Sequence, residues 1–342
     1  MGDFNYDVHG LIKIRSNMDL SLVDRRLSYF RVNKTKPDVT VHVAKDFKVS
    51  VADAVRLMPH LFGVENGKWV YYDHALAWFK LKLLIKKLLD ETEIVATSSY
   101  LKMHFKIGEI TPLWKIIPFI MDIKLLNKGY TFLHGACLSK QGKGVLLCAF
   151  PNTGKTLTAL LSLKKEHDFS YLSDDITIVD DRGYAYCYPD PHPIFDHVKG
   201  KMIDRKDFVK AILKLISPVT RFYVPEPIKQ FAGVYKEIGN PSIIKKTKIE
   251  NIFFLEREQE SLEEISHQKA YNKLVASKRY EFPFCTDPII LGYSYFNPEV
   301  KLEKLLLKEQ KILLNLTACA HKCFILRSRN PKRFIDMIES IV

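Results

Sequence analysis

The chain has 342 residues, of which 47% are hydrophobic and 27% charged, and its formal net charge at pH 7 is +13. This composition is typical of a globular protein with one large domain or two ordinary ones, and it excludes collagen-like and low-complexity chains. Because no run of about 18 uninterrupted apolar residues occurs, we expect no membrane-spanning helix.

The first 110 residues predict a small α+β N-terminal domain. Strand-like alternation of apolar and polar side chains covers 6–16 and 39–43, and a turn precedes an aromatic strand at 69–72. Residues 75–89 carry apolar side chains at helical spacing, with lysines interleaved between them. This last pattern predicts an amphipathic helix whose lysine face is solvated, and contact of that face with nucleic acid is the alternative.

The cysteines and the N-terminus indicate the cellular compartment. Six cysteines are scattered along the chain, and their spacing indicates neither a disulfide framework nor a zinc site. The N-terminus has no basic region followed by an apolar run, so a secretory leader is not expected. Together these features predict a reducing compartment, the cytosol.

The positive charge is concentrated in the last third of the chain. Residues 201–342 carry 25 Lys and Arg against 17 Asp and Glu. A basic surface favours an anionic partner, so RNA is a candidate, and a Lys-rich solvated surface without any partner is the plainer alternative. We expect no membrane partner, and association of the chain with itself stays open.

From residue 111 onward, helical segments alternate with short buried strands, which predicts an α/β domain over 111–342. An apolar helix is expected over 112–126 and a strand over 131–138. A continuous apolar run at 145–150 predicts a buried strand, and a helix follows over 155–166. Further strands are expected over 169–172, 176–179, 184–188, 252–255 and 323–327, and further helices over 204–216, 300–314 and 331–341.

The buried strand leads directly into the segment Ala149-Phe150-Pro151-Asn152-Thr153-Gly154-Lys155-Thr156. It matches the phosphate-loop pattern Gly-x-x-x-x-Gly-Lys-Ser/Thr except at the first glycine, where a methyl group is tolerated if φ is negative. Gly154 lets the backbone approach a phosphate, Lys155 reaches the β- and γ-phosphates, and Thr156 offers its hydroxyl to Mg²⁺. The predicted nucleotide-binding residues are Ala149, Pro151, Asn152, Thr153, Gly154, Lys155, Thr156 and Leu157.

Two adjacent carboxylates, Asp174 and Asp175, follow the predicted strand at 169–172. Phosphate-loop proteins hold Mg²⁺ with acidic side chains that come after an apolar strand. One carboxylate can bind the metal while the other accepts a proton from an attacking hydroxyl. A simple nucleoside triphosphatase needs only the first of these roles, so the pair favours phosphoryl transfer.

Four segments occur in this order and at close spacing: His134-Gly135-Ala136-Cys137, Gly142-Lys143-Gly144-Val145, Thr153-Gly154-Lys155-Thr156 and Leu172-Ser173-Asp174-Asp175. This arrangement resembles the catalytic domain of HPr kinase/phosphorylase and its wider HPr-kinase-like group. That group is related in fold to phosphoenolpyruvate carboxykinase, so the resemblance implies a P-loop kinase domain of this type. It covers 131–182 and extends loosely over 183–260, but it does not include the N-terminal domain.

The resemblance implies a role for each matched residue. Lys155 and its neighbours would bind the phosphates of ATP or another nucleoside triphosphate, and Thr156 and Asp175 would bind Mg²⁺. Asp174 would be the base that activates the acceptor hydroxyl. His134 would lie beside the phosphates and help to tune the proton transfer.

An arginine that stabilises the transferring charge is also implied. Arg257 is the first candidate, and Arg182 and Arg221 are the others. The Arg-Gly-Leu-Gly-Ile segment that HPr kinases use for their protein substrate has no counterpart here, so HPr is not the expected acceptor. The expected acceptor is a hydroxyl group on another protein or peptide, a small metabolite or an RNA ribose.

Two other functions are compatible with the same motifs. The first is a nucleotide-binding switch or ATPase that works within an RNA- or protein-binding assembly and transfers no phosphoryl group. The second is an enzyme that acts on a small anionic metabolite, as the carboxykinase relatives do. A steep salt dependence of substrate binding would indicate a polyanion, and a shallow one a small metabolite.

Overall fold

The computed structural model describes residues 3–76, 79–103, 111–190 and 242–342. The fold is mixed α/β and contains two large mixed β-sheets. The chain divides into two compact units. The first comprises Met1–Thr131 and Phe282–Gln310, and the second comprises Phe132–Glu281 and Lys311–Val342.

The first unit is built on a nine-stranded sheet with the strand order β3-β1-β2-β4-β9-β8-β7-β6-β5. Neighbouring strands are antiparallel except for the β2–β4 and β4–β9 pairs, which are parallel. The strands are β1 Phe4–Val8, β2 Ile12–Ser16, β3 Arg31–Val32, β4 Val39–Ala44, β5 Val55–Met58, β6 Leu61–Val64, β7 Trp69–Leu76, β8 Phe79–Lys86 and β9 Thr92–Thr97.

The helix predicted over 75–89 was wrong, because strands β7 and β8 pair antiparallel across this region. The apolar residues of β8 also follow a two-residue period, and Leu81, Leu83 and Ile85 are all buried. In a short apolar run, helical and strand periods overlap, so the sequence pattern could not separate them. Pairing of β8 with both β7 and β9 decides in favour of the strand.

The described residues contain seven α-helices and four short 3₁₀ helices. The α-helices are α1 Ser98–Leu101, α2 Leu113–Asn127, α3 Lys155–Ser162, α4 His267–Glu281, α5 Pro288–Phe296, α6 Leu302–Cys319 and α7 Pro331–Glu339. The 3₁₀ helices are Leu20–Leu22, Arg25–Phe30, Lys165–His167 and Phe284–Thr286. In this part of the chain no helix combines the length and apolarity needed to cross a bilayer.

The predicted domain boundary at residue 110 and the division between the compact units do not coincide, because helix α2 is held in the first unit. Lys128, which follows α2, forms an ion pair with Asp38 at 3.1 Å. The residues after 281 return to the same unit, where the hydroxyl of Thr111 donates to the carboxylate of Asp287. Contacts between residues this distant in sequence leave no local signal in composition.

The second unit is built on another nine-stranded sheet, with the order β10-β14-β15-β16-β12-β11-β13 and with β18 between β16 and β17. The strands β12, β16 and β18 are parallel, and Cys148, Phe254 and Ile325 lie in one row across them. The strands are β10 Tyr130–His134, β11 Ala136–Lys140, β12 Lys143–Cys148, β13 Ser170–Ser173, β14 Ile176–Asp180, β15 Tyr184–Tyr186, β16 Lys246–Glu256, β17 Ser261–Ile265 and β18 Lys322–Arg327.

The core of the second unit lies between this sheet and helices α3 and α7. Leu147, Phe253 and Phe324 come from the three parallel strands, and Leu160 of α3 and Phe334 of α7 pack against them. The rings of Phe253 and Phe324 are stacked, with centroids 5.4 Å apart. This core anchors the carboxyl ends of the three strands, where the segment 149–156 begins. This segment is called the phosphate loop after its sequence motif.

Most elements predicted for this region are confirmed, with shifted ends. The strand expected over 131–138 is two strands that meet at Gly135, and β16 is longer than the predicted 252–255. Helices α4 and α5 were not predicted. The helix expected over 204–216 lies outside the described residues.

Candidate active site

The phosphate loop connects β12 to α3, as the sequence motif requires. Ala149, which stands at the first glycine position, belongs to the buried core cluster with Leu147 and Phe253. It is not among the residues with positive φ, so its methyl group causes no backbone strain. The departure from the motif is therefore structurally neutral at this position.

The backbone of the loop turns through left-handed conformations at two positions. Asn152 has φ of 64° and Gly154 has φ of 106°, and the Thr153 hydroxyl donates to the carbonyl of Phe150 at 2.8 Å. Alternation of this kind points successive amides toward one side, which makes a concave anion site.

Four consecutive amides, from Gly154 to Leu157, donate no hydrogen bond to any described residue. Helices α5 and α7 satisfy such amides with the side chains of Asp287 and Asn330, but the N-cap of α3 is Gly154, which has no side chain. The positive end of the α3 dipole and free N–H groups therefore meet at one point, the arrangement that binds phosphate in proteins.

Pro331, at the start of α7, lies against the loop glycine. A Cβ placed on Gly154 would lie 3.0 Å from Cγ of Pro331, and φ at this position is unfavourable for any other residue. Both steric and conformational reasons therefore require glycine here.

We expect Gly154→Ala to lower the free energy of unfolding by about 1–2 kcal/mol, the cost of a left-handed backbone for alanine. Gly142→Ala is the matched control, because Gly142 has φ of 80° and no atom within 4 Å of its added Cβ. Urea unfolding should therefore show a loss for both variants. Titration with Mg²⁺-ATP should show weaker binding only for Gly154→Ala, and undiminished binding by that variant would contradict the phosphate-site assignment.

The structure brings His134, Lys155 and Asp175 together at the mouth of the loop. Nζ of Lys155 donates to Oδ1 of Asp175 at 3.4 Å, and Nδ1 of His134 lies 3.3 Å from the same oxygen. Lys155 is only 7% exposed, whereas the side chain of Asp175 is 51% exposed. One carboxylate, accessible to solvent, therefore links the loop lysine to the histidine at the end of β10.

Backbone contacts hold the two acidic residues beside the loop. The amide of Gly135 donates to the carbonyl of Asp175 at 3.1 Å, and Asp175 has a left-handed φ of 70°. The hydroxyl of Thr177 donates to the carbonyl of Gly135 and lies 2.6 Å from the hydroxyl of Ser173. The segments around His134 and Asp174-Asp175 are thus joined through a buried hydroxyl pair.

The two carboxylates differ in their surroundings. Asp174 is only 2% exposed, and its carbonyl accepts from the amide of Ile176 at 2.9 Å. Asp175 points toward Lys155 and solvent. The sequence placed both residues at the site but contained no sign that one would be buried and the other accessible.

Cys148, the last residue of β12, directly precedes the loop. Burial raises the pKa of its thiol to about 12. The thiol therefore stays protonated near neutral pH and acts as a small apolar side chain.

The arginine candidates occupy different places. Arg257 follows β16 and is exposed, and the strand register puts it at the same sheet edge as the loop. Arg182 is at the other end, because its neighbour Tyr184 pairs with Lys248, which in turn pairs with Lys143 at the start of β12. Its position excludes Arg182 as the arginine that stabilises transferring charge at the loop. Arg221 lies outside the described residues.

Sequence reasoning missed a second arginine at this edge. Arg329 follows β18, is exposed and precedes Pro331, the residue that packs on Gly154. Neither Arg257 nor Arg329 forms an ion pair or hydrogen bond with the described residues, whereas nearby Arg327 is held by Glu256 at 2.9 Å. The parallel register of β16 and β18 brings Arg329 to the same end of the sheet as Arg257, and this register exists only in the folded sheet.

The donor atoms near the loop suit a magnesium ion that is held partly by phosphate oxygens. Among the described residues, no three His, Cys, Asp or Glu side chains form a group that could hold a metal ion alone. Mg²⁺ is usually bound through one or two protein oxygens together with substrate phosphates and water. The hydroxyl of Thr156 and the carboxylate of Asp175 are donors of this kind, so the residues present fit such an ion.

Comparison with known proteins assigns no family to this chain. No model of a protein family matches the chain, and no curated protein matches it either. The roles proposed below for the site residues rest on the motif and on the contacts described above.

Proposed function

We propose that this protein is a kinase of the HPr-kinase-like P-loop type, which transfers the γ-phosphoryl group of ATP or another nucleoside triphosphate to a hydroxyl acceptor. The observation that carries the proposal is the meeting of three separate sequence segments at one carboxylate, where Lys155 and His134 both contact Asp175. A second carboxylate, Asp174, is adjacent in the chain. A site with two acidic residues supports transfer to an acceptor better than simple hydrolysis.

The residues of the loop would hold the phosphates. The amides from Gly154 to Leu157 and the ammonium group of Lys155 supply positive charge, and Thr156 and Asp175 would hold Mg²⁺. When bound, Mg²⁺ neutralises the charge that develops on the transferring group. Since Lys155 is held by Asp175, a phosphate would arrive at an ammonium group that is already oriented.

The acidic residues and the histidine would take part in removing the proton from the acceptor hydroxyl. In this proposal Asp174 accepts it, and its low exposure keeps the carboxylate away from bulk water, which strengthens its interaction with a nearby hydroxyl. His134 positions Asp175 through the 3.3 Å contact. Arg257 is the proposed stabiliser of transferring charge.

The case for an RNA partner rests on the net positive charge of the C-terminal third and not on a described cluster of unpaired cations. Several of its cations are engaged in ion pairs with glutamates of the same region: Lys269–Glu263, Lys273–Glu256, Lys322–Glu264, Arg327–Glu256 and Arg333–Glu260. Paired cations contribute less to a positive field than free ones. RNA as a partner therefore stays a prediction.

The proposed function is tested by incubating the protein with ATP labelled on its γ-phosphate and with protein, RNA and small-molecule fractions of a lysate, each separately. We expect label in one fraction with the wild-type chain and none with Lys155→Ala. Release of inorganic phosphate without label in any fraction would contradict the kinase and support the ATPase or switch.

A further inference from the structure

Two exposed aromatic rings lie together at the phosphate loop. Phe150, the second residue of the loop, is 53% exposed, and Tyr280, near the end of helix α4, is 60% exposed. Their ring centroids are 5.5 Å apart, and the ring planes meet at 73°. Neither residue has a part in the proposed phosphate chemistry.

This ring pair is attached to well-anchored elements. Phe150 follows Ala149, which is buried in the core of the second unit. Helix α4 is fixed to the sheet by the 2.6 Å ion pair of Lys273 with Glu256, and its Leu274 is fully buried. The edge-to-face geometry leaves ring surface of both residues open to solvent.

The position of the pair indicates the chemistry that it would bind. Covering exposed apolar rings with a ligand is favourable because it removes apolar surface from water. A flat aromatic ligand can cover such rings by stacking on them. Here the rings are contiguous with a loop whose amides and lysine suit phosphate. A nucleotide has anionic phosphates at one end and a flat ring at the other. It therefore matches both the loop and the ring pair.

We propose that Phe150 and Tyr280 form a stacking platform for the nucleobase of the nucleotide whose phosphates the loop holds. This inference rests on the proposed function, because it needs a nucleotide at residues 149–156. The platform recognises the flat face of the base and makes no demand on its hydrogen-bonding edge. Several nucleoside triphosphates should therefore serve as donors with similar affinity.

The platform is also too small for a protein partner by itself. Stable protein interfaces bury on the order of 1,200–2,000 Å². The next loop residues, Pro151 and Asn152, are exposed but do not extend the pair with further large apolar side chains. A base-sized ligand is the better fit.

The test compares the affinity of Mg²⁺-ATP with that of inorganic tripolyphosphate, which has the phosphates but no base, by calorimetric titration. We expect Phe150→Ala and Tyr280→Ala each to weaken ATP binding about 5- to 100-fold and to leave tripolyphosphate binding unchanged. Phe150→Tyr should retain wild-type affinity for ATP. Tyr295→Ala is the matched control, since Tyr295 is 73% exposed and packs edge-to-face on Phe296 in the other compact unit.

Three results would overturn the platform while leaving the phosphate site intact: unchanged ATP affinity in both alanine variants, equal losses for ATP and tripolyphosphate, or wild-type protein that binds both ligands equally well. The second of these would mean that Phe150 shapes the loop. Failure of the wild-type protein to bind either ligand would instead refute the proposed function, and the platform with it. Thermal unfolding of each variant checks that the fold is retained.

Discussion

Replacing Lys155 by alanine is expected to lower the rate of phosphoryl transfer by about 100- to 1,000-fold, the usual effect of removing one group that stabilises developing negative charge. The ammonium group lies at the mouth of the loop, fixed by Asp175, where it would meet the β- and γ-phosphates. The measurement is the initial rate of transfer from labelled ATP to the acceptor fraction that the wild-type protein labels.

The matched control is Lys165→Ala. Lys165 lies shortly after helix α3 in the same unit and is exposed, and it forms no hydrogen bond or ion pair with the described residues. Its removal changes the net charge equally and should leave the rate unaltered. Because the side chain of Asp175 is half exposed, water can solvate it when Lys155 is lost, so the Lys155→Ala variant should still fold. Wild-type transfer by Lys155→Ala would exclude the loop as the donor site.

The change Asp174→Asn is expected to lower transfer by about 100- to 10,000-fold while the affinity for Mg²⁺-ATP stays near that of the wild type. The amide has nearly the same shape as the carboxylate but cannot accept the proton of the acceptor hydroxyl. Since Asp174 is 2% exposed, an isosteric change is needed to avoid a cavity. Single-turnover rates and nucleotide titrations separate the two effects.

Asp175→Asn provides the contrast within the same motif. Its carboxylate is the proposed metal ligand, so this variant should require more Mg²⁺ for half-maximal rate. Asp181→Asn, an exposed aspartate in the turn after β14, serves as the control for loss of one negative charge. If Asp174→Asn kept full activity while Asp175→Asn lost it at saturating Mg²⁺, the two proposed roles would have to be exchanged.

The sequence predicted those parts of the site that are formed by residues adjacent in the chain. The strand, loop and helix around Lys155 are adjacent in the chain, so the motif described them correctly, including the tolerance for Ala149. The contact of His134 with Asp175 was not predicted, because the resemblance implied only that His134 would lie beside the phosphates. Its geometry comes from the pairing of β11 with β12 and β13.

The motif could not predict which distant residues would contact the loop. Pro331 contacts Gly154, and Tyr280 contacts Phe150, across more than 100 positions of sequence. Arg329 reaches the same sheet edge as Arg257 only because β18 adds parallel to β16. None of these residues carries a pattern that marks it as part of a site.

By itself, the sequence determined the mixed α/β class, the phosphate-loop motif and the acidic pair, because each depends on a short stretch of neighbouring residues. Only the tertiary structure decided that Phe79–Lys86 forms a strand, that Asp174 is buried while Asp175 is accessible, and that an aromatic pair flanks the loop. Burial and strand pairing depend on which distant residues meet, and short apolar runs are compatible with either helix or strand until a partner strand selects one.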